Sequence, residues 1–134
     1  LSLPPTSPLR RQKDVERCID ALNHNIDGVL AVTSSARSPW FNMVQKEPDN
    51  TIKLLNNENF FRRQDCPISF DITTVAYAMK ADFVSVSTNI WEGNISGIEI
   101  PKEFAVDIDD YYDFQIAKYL HENILSSGQL FANS

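Results

Sequence analysis

The chain has 134 residues, 43% of them apolar and 22% charged, with a net charge of −6, enough apolar material for one buried core. That acidity argues against a polynucleotide binder, which needs a basic face. No apolar run approaches the ~20 residues that span a bilayer, and no charged segment leads into an apolar one as in a signal peptide. The expectation is a cytoplasmic protein with neither nucleic acid nor membrane as partner.

Leu1-Ser2-Leu3 reads as the end of a strand, closed by Pro4-Pro5 because proline cannot donate to a sheet ladder. Thr6-Ser7-Pro8 reads as a turn. From Lys13 to Asn23, Val15, Cys18, Ile19 and Leu22 recur at i, i+3, i+4, i+7, which predicts a helix with one apolar face. Asp14 falls in its first turn, where the helix dipole favours negative charge. Val29-Leu30-Ala31-Val32 is a continuous apolar run bounded by Gly28 and Thr33-Ser34-Ser35, the pattern of a buried strand. Stub, helix and buried strand in this order suggest a parallel βαβ unit.

The segment from Arg37 to Asp65 is more polar and carries the turn signal Glu47-Pro48-Asp49-Asn50. Trp40, Phe41 and Met43 before it, and Ile52, Leu54 and Leu55 after it, predict two extended arms whose apolar residues suit a subunit contact. Ile68 to Met79 reads as a strand, Lys80 to Val86 is ambiguous, and Ile98-Glu99-Ile100 reads as a short strand. A helix is expected from Asp110, capped by Asp110 with Asp113 three residues on, burying Phe114, Ala117, Leu120 and Ile124. After Ser126 the tail is expected to fray.

Several residues carry candidate chemistry. Asp107 and Asp109 flank Ile108, and in an extended segment i and i+2 point to one side. Two carboxylates at the C-terminal end of a strand can share Mg²⁺, or they can simply cap the following helix. The doublets Arg10-Arg11 and Arg62-Arg63 either bind carboxylate or phosphate in bidentate fashion or are solvated surface charges. Thr6 and Ser7 either hold a phosphate or sugar hydroxyl or form an ordinary turn. Cys18 and Cys66 form no CxxC pair and have no histidine at ligand spacing, so neither zinc site nor disulfide is indicated and the usage fits a reducing cytosol. His24 and His121 read as surface or helix-end residues. Trp91, Tyr111 and Tyr112 read as packing rather than pocket residues. Asn94-Ile95-Ser96 matches a glycosylation acceptor by chance, and no phosphate-binding glycine loop, nucleophile elbow or HExxH pattern is present.

Three ordered segments change this picture: Pro5-Thr6-Ser7-Pro8-Leu9-Arg10, Arg62-Arg63-Gln64-Asp65 followed by Pro67, and Val106-Asp107-Ile108-Asp109 before a helix. Together they resemble the acylneuraminate cytidylyltransferases, the CMP–sialic acid synthetases and their relatives, over Leu1 to about Leu125. The resemblance implies an α/β fold, the C-terminal portion of a Rossmann-like nucleotidyltransferase with a mostly parallel sheet. It also implies a projecting β dimerisation arm over 37–78 within a single partial domain, 1–134. The implied reaction joins CMP from CTP to the anomeric hydroxyl of an acidic 2-keto sugar and releases pyrophosphate. By motif match Asp107 and Asp109 are catalytic and hold Mg²⁺. Thr6, Ser7, Arg10, Arg63, Gln64, Thr73 and Tyr77 are implied to bind substrate, Arg63 facing the acidic sugar with Gln64 beside it. CTP and the acidic sugar are the implied ligands, and a homodimer or tetramer the implied assembly.

Pro4 stands where many members carry glutamine, and Thr73-Thr74-Val75 where many carry Asn-Gly-Ala. Sialic, legionaminic, pseudaminic and ulosonic-type acids therefore all remain open as substrate. The triphosphate-binding loop that opens the family has no counterpart here, so the chain is expected to be part of a longer enzyme and inactive by itself. Two other readings stand beside this one: a non-catalytic dimerisation or sugar-binding module, and a CMP–Kdo-type synthetase.

Overall fold

The computed structural model describes residues 1–56, 58 and 60–125. The described chain divides into two compact units, one made of Leu1–Thr33 with the residues from Ile72 onward, the other of Ser34–Asp71.

The first unit is α/β. Helix α1 (Gln12–Asp20) leads into strand β1 (Gly28–Ser34), whose first six residues belong to this unit. Val29, Leu30 and Ala31 are all buried, so both faces of β1 are covered, which is why its sequence is a continuous apolar run. Strand β5 (Ile95–Glu99) pairs with β1 in parallel, Gly28 opposite Ile95 and Val32 opposite Glu99. A Cβ on Gly28 would stand 2.8 Å from Ile95 Cδ1, so a larger residue there would make the end of the Ile95 side chain shift. On the other side of β1 lies β4 (Phe70–Met79). Lys80 N–H donates to Asp27 C=O at 2.9 Å, and Thr73 Oγ1 donates to Ala31 C=O at 3.0 Å. Numbers rise along one strand as they fall along the other, so β4 runs antiparallel to β1.

The sheet is therefore mixed, where a mostly parallel one was expected. The N-terminal stub is not a parallel neighbour of β1. Ser2 forms an antiparallel bridge with Tyr77, N–H to C=O in both directions at 2.8 and 3.0 Å. The partner that makes β1 part of a parallel pair is β5, far along the chain. β5 begins earlier than the Ile98-Glu99-Ile100 pattern predicts and ends at Glu99, with Ile100 fully buried just beyond it.

One core holds this unit together: Cys18, Val29, Ala31, Val75, Ala76, Ala78, Ile100 and Phe104, with Val15 and Leu22 packed against it. Burying a side chain the size of Val or Ile contributes about 1.5–3 kcal/mol. The predicted face of α1 is present at Val15, Cys18 and Leu22, but Ile19 is exposed. Burial pushes the Cys18 thiol pKa up, and both cysteines are free.

The ambiguous segment after Lys80 is the short helix α2 (Ala81–Val86). Helix α3 (Tyr111–Leu120) starts as expected. Asp110 accepts from the N–H groups of Tyr112 and Asp113 at 2.7 and 3.0 Å, while Asp113 accepts from the N–H of Asp110 at 3.2 Å. Of its expected buried face, Ala117 is buried and Phe114 is 48% exposed. The side chain of Ile124 and the tail after Leu125 lie outside the described residues. Trp91, Tyr111 and Tyr112 are all exposed, so they do not pack in the core.

The second unit is built on a hairpin, β2 (Val44–Lys46) antiparallel to β3 (Ile52–Leu54), Val44 opposite Leu54. Its turn is the predicted Glu47-Pro48-Asp49-Asn50. Asn50 takes a left-handed φ of 67°, and Glu47 N–H reaches Thr51 C=O at 2.9 Å. Asparagine tolerates that conformation better than most residues. The stretch expected to form an arm, 37–78, is shared: 37–71 lies in this unit and 72–78 in β4 of the first. Among the described residues, no helix is long and apolar enough to cross a membrane.

Candidate active site

The first unit gathers three separated segments at β4. The bridge to Tyr77 pins Ser2 there. Arg10 then fastens the following loop: its Nε donates to Val75 C=O at 2.6 Å, and its Nη2 donates to Thr74 C=O at 3.0 Å and to Pro4 C=O. Those groups hold backbone carbonyls together, so Arg10 is in place chiefly to set the loop. Within that loop Thr6 C=O accepts from Ile108 N–H at 2.9 Å, which brings the Asp107–Ile108 peptide against Thr6.

Ser7 is buried, and its Oγ lies 2.6 Å from Thr74 Oγ1. In a hydroxyl pair one O–H donates to the other oxygen, and the second O–H remains free to donate elsewhere. Thr73, the residue singled out by motif, is buried in the sheet with its hydroxyl on Ala31 C=O. Neighbours on a strand face opposite sides, so Thr74 rather than Thr73 stands beside Ser7. The sequence signal for this was the alternation along β4, readable only once the buried face is known.

Tyr77 is half-buried. Burial first, and then the negative charge of Asp107, push its phenol pKa up, so Asp107 lies within electrostatic reach of Tyr77. Tyr77 also lines an open groove of about 800 Å³ walled by Leu1, Leu30, Ile72, Met79 and Val84, with no charged side chain in its lining among the described residues.

Asp107 and Asp109 are not on a strand. Residues 105–108 are irregular, and a bend at 109–110 precedes α3, so the alternation argument for one shared side does not apply. Their settings differ. Asp107 is half-buried, and its Oδ1 is a buried oxygen without a hydrogen-bond partner among the described residues. Asp109 is exposed, and its N–H donates to Asp113 Oδ2 at 3.1 Å. Among the described residues no group of three or more His, Cys, Asp or Glu side chains is placed to hold a metal. Mg²⁺ commonly takes only one or two protein carboxylates and completes its shell with water and substrate phosphates. An unpartnered buried carboxylate oxygen with a second acid two residues on fits that donor set.

Arg63 and Gln64 belong to the second unit, in a single 3-10 turn, Arg63–Asp65, and both are exposed. Arg63 Nη2 donates to Ala36 C=O at 2.7 Å. They line a pocket of about 220 Å³ together with Ser34, Arg37 and Ser38.

One cluster escaped the sequence reading. Asp14 is fully buried and accepts from Arg11 Nε at 2.6 Å, Arg11 Nη2 at 3.1 Å and Arg17 Nη1 at 3.3 Å. The Arg11 guanidinium also stacks 3.7 Å from the centre of the Phe104 ring. Arg11 is thus a structural member of the Arg10-Arg11 doublet.

No family model and no curated protein matches the chain.

Proposed function

We propose that this chain carries the metal-binding and sugar-binding part of a cytidylyltransferase that transfers CMP from CTP to an acidic 2-keto sugar. The Rossmann-like ancestry of the fold belongs to this proposal, and the parallel β1–β5 pair agrees with it. One observation carries the reading: the unpartnered, buried Oδ1 of Asp107 lies in the neighbourhood of Tyr77 and the Thr6–Ser7 loop. Two of the three motifs, the Thr6–Ser7 loop and the Asp107 segment, each weak alone and separated by most of the chain, meet at β4 beside Tyr77.

In this reading Asp107 and Asp109 hold Mg²⁺, which supplies charge neutralisation at the phosphates and lowers the cost of deprotonating a nearby hydroxyl. The anomeric oxygen forms a bond to the α-phosphorus, the α–β anhydride bond breaks, and pyrophosphate leaves. Asp107 orients the sugar hydroxyl. The Ser7–Thr74 pair offers one O–H, and Tyr77, kept protonated by its surroundings, offers another. Arg10 and Thr73 hold loop and strand in place. The hairpin unit supplies the dimer contact, and its Arg63 and Gln64 reach the sugar carboxylate in the neighbouring subunit's site.

The test is pyrophosphate release from Mg²⁺·CTP with a panel of 2-keto sugar acids, using the enzyme that carries this chain together with its triphosphate-binding loop. Asp107→Asn is expected to lower kcat by about 100-fold or more with the fold intact. Full turnover in that variant, or no release with any acid in the wild type, would sink the reading.

The hairpin favours a second reading, a non-catalytic dimerisation and sugar-binding module. All six residues of β2 and β3 are exposed, Val44, Ile52 and Leu54 among them. A stable dimer that binds a sugar acid yet never binds CTP would support it.

A further inference from the structure

The hairpin unit contains a second place where polar groups converge. Residues 34–38 form one wall of its pocket and residues 63–69 the other. The backbone of these walls is already tied. Ser35 N–H donates to Ser69 C=O at 3.0 Å, Ser69 Oγ to Arg37 C=O at 3.1 Å, and Arg63 Nη2 to Ala36 C=O at 2.7 Å. Ser38 C=O accepts from Phe41, Asn42 and Met43, and Ser38 N–H donates to Asn42 Oδ1 at 2.7 Å.

What remains at the pocket is side-chain chemistry. Ser38 is 4% exposed, and its Oγ is buried with no hydrogen-bond partner among the described residues. That oxygen is shut off from solvent, so Ser38 packs beneath the pocket and the binding chemistry falls to the arginines. Arg37 and Arg63 both line this pocket, and among the described residues its lining includes no acid. Guanidinium forks match the oxygens of carboxylate and phosphate. A pocket of about 220 Å³ is smaller than the usual range for a whole drug-sized ligand, so it suits one small oxyanionic group.

We propose that Arg37 and Arg63 form an oxyanion pocket inside the hairpin unit, with Arg37 as its second cationic binding residue. The group it takes is a carboxylate or a phosphate. Identifying that group as the carboxylate of a sugar acid rests on the function proposed above; the pocket's affinity for an oxyanion does not.

The test is titration of the intact protein with pyruvate and, separately, with inorganic phosphate at constant ionic strength, followed by calorimetry and by amide NMR. Saturable binding is expected, with shifts concentrated at residues 34–38 and 63–69. Arg37→Ala should weaken it by about tenfold or more, as loss of a charged hydrogen-bond donor does, and Arg37→Gln should do the same. Arg37 is exposed, so both variants are expected to fold. No saturation, shifts confined to other residues, or wild-type affinity in both Arg37 variants would overturn the proposal. Saturable pyruvate binding ties the pocket to an acid, and saturation by phosphate alone supports the pocket while separating it from the sugar carboxylate. Binding that persists in an enzyme releasing no pyrophosphate would defeat the cytidylyltransferase reading and leave the pocket standing.

Discussion

In the sheet unit, buried apolar side chains from α1, β1, β4 and the segment after β5 meet in one core. In the hairpin unit Ser38 is the one buried residue among those described, while Phe41, Val44, Ile52, Leu54, Leu55, Phe61 and Ile68 are all exposed. The first unit fixes its shape by packing and can hold side chains at defined places. The second is held by turns, backbone pairs and a few side-chain bonds, and its apolar residues suit a surface that another molecule covers.

Paired substitutions give the sharpest break in this comparison. Ile100→Ala removes a fully buried side chain and is expected to cost about 2–5 kcal/mol. Ile52→Ala, at a position 64% exposed, is expected to change the stability of the monomer by less than about 0.5 kcal/mol. Urea denaturation checks both. Equal effects would mean that Ile52 is buried in solution, which oligomer mass would reveal as self-association.

A smaller effect is expected from Asp14→Asn. The buried carboxylate bonds two arginines, and the amide cannot satisfy both, so a loss of about 1–3 kcal/mol is expected. Denaturation with no change relative to wild type would show that the arginines find water equally well. Arg17, half exposed, makes the weaker of the two contacts, so Arg17→Ala should cost less than Arg11→Ala.

The smallest effect is a titration shift. Tyr77 is raised above the ordinary phenol value, first by burial and then by the charge of Asp107. A raised folded-state pKa means that the folded chain keeps its proton longer, so this contribution to stability is full below the unfolded value, near 10, and is lost as pH rises through the folded value. Asp107→Asn removes the charge but not the burial. Tyrosinate formation at Tyr77, followed by NMR of labelled tyrosine, should therefore move to lower pH in the variant while staying above the ordinary value. An unmoved titration would place Asp107 too far from Tyr77 to share a site.

Local chemistry was legible where it was self-contained. The capping of α3 by Asp110 and Asp113, the Glu47–Asn50 turn and the apolar run of β1 are each written in a few adjacent residues. The Thr6–Ser7, Tyr77 and Asp107 motifs were legible as separate segments. Their meeting at β4 was not, because it depends on an antiparallel bridge at Ser2 and one hydrogen bond from Ile108 to Thr6. Nor could the sequence separate Thr73 from Thr74, since their faces are assigned only by which side of β4 is buried.

By itself, then, the amino-acid order determined periodicity, turns and caps, because those depend on neighbours within one or two turns of chain. Only the tertiary structure decided the strand order β4-β1-β5, the burial of Asp14 between two arginines, the commitment of Arg10 to backbone carbonyls, and the isolation of Asp107 Oδ1. The partners in each case lie far apart in sequence. Whether a charge is paired, buried or left free is settled by which distant groups packing brings against it.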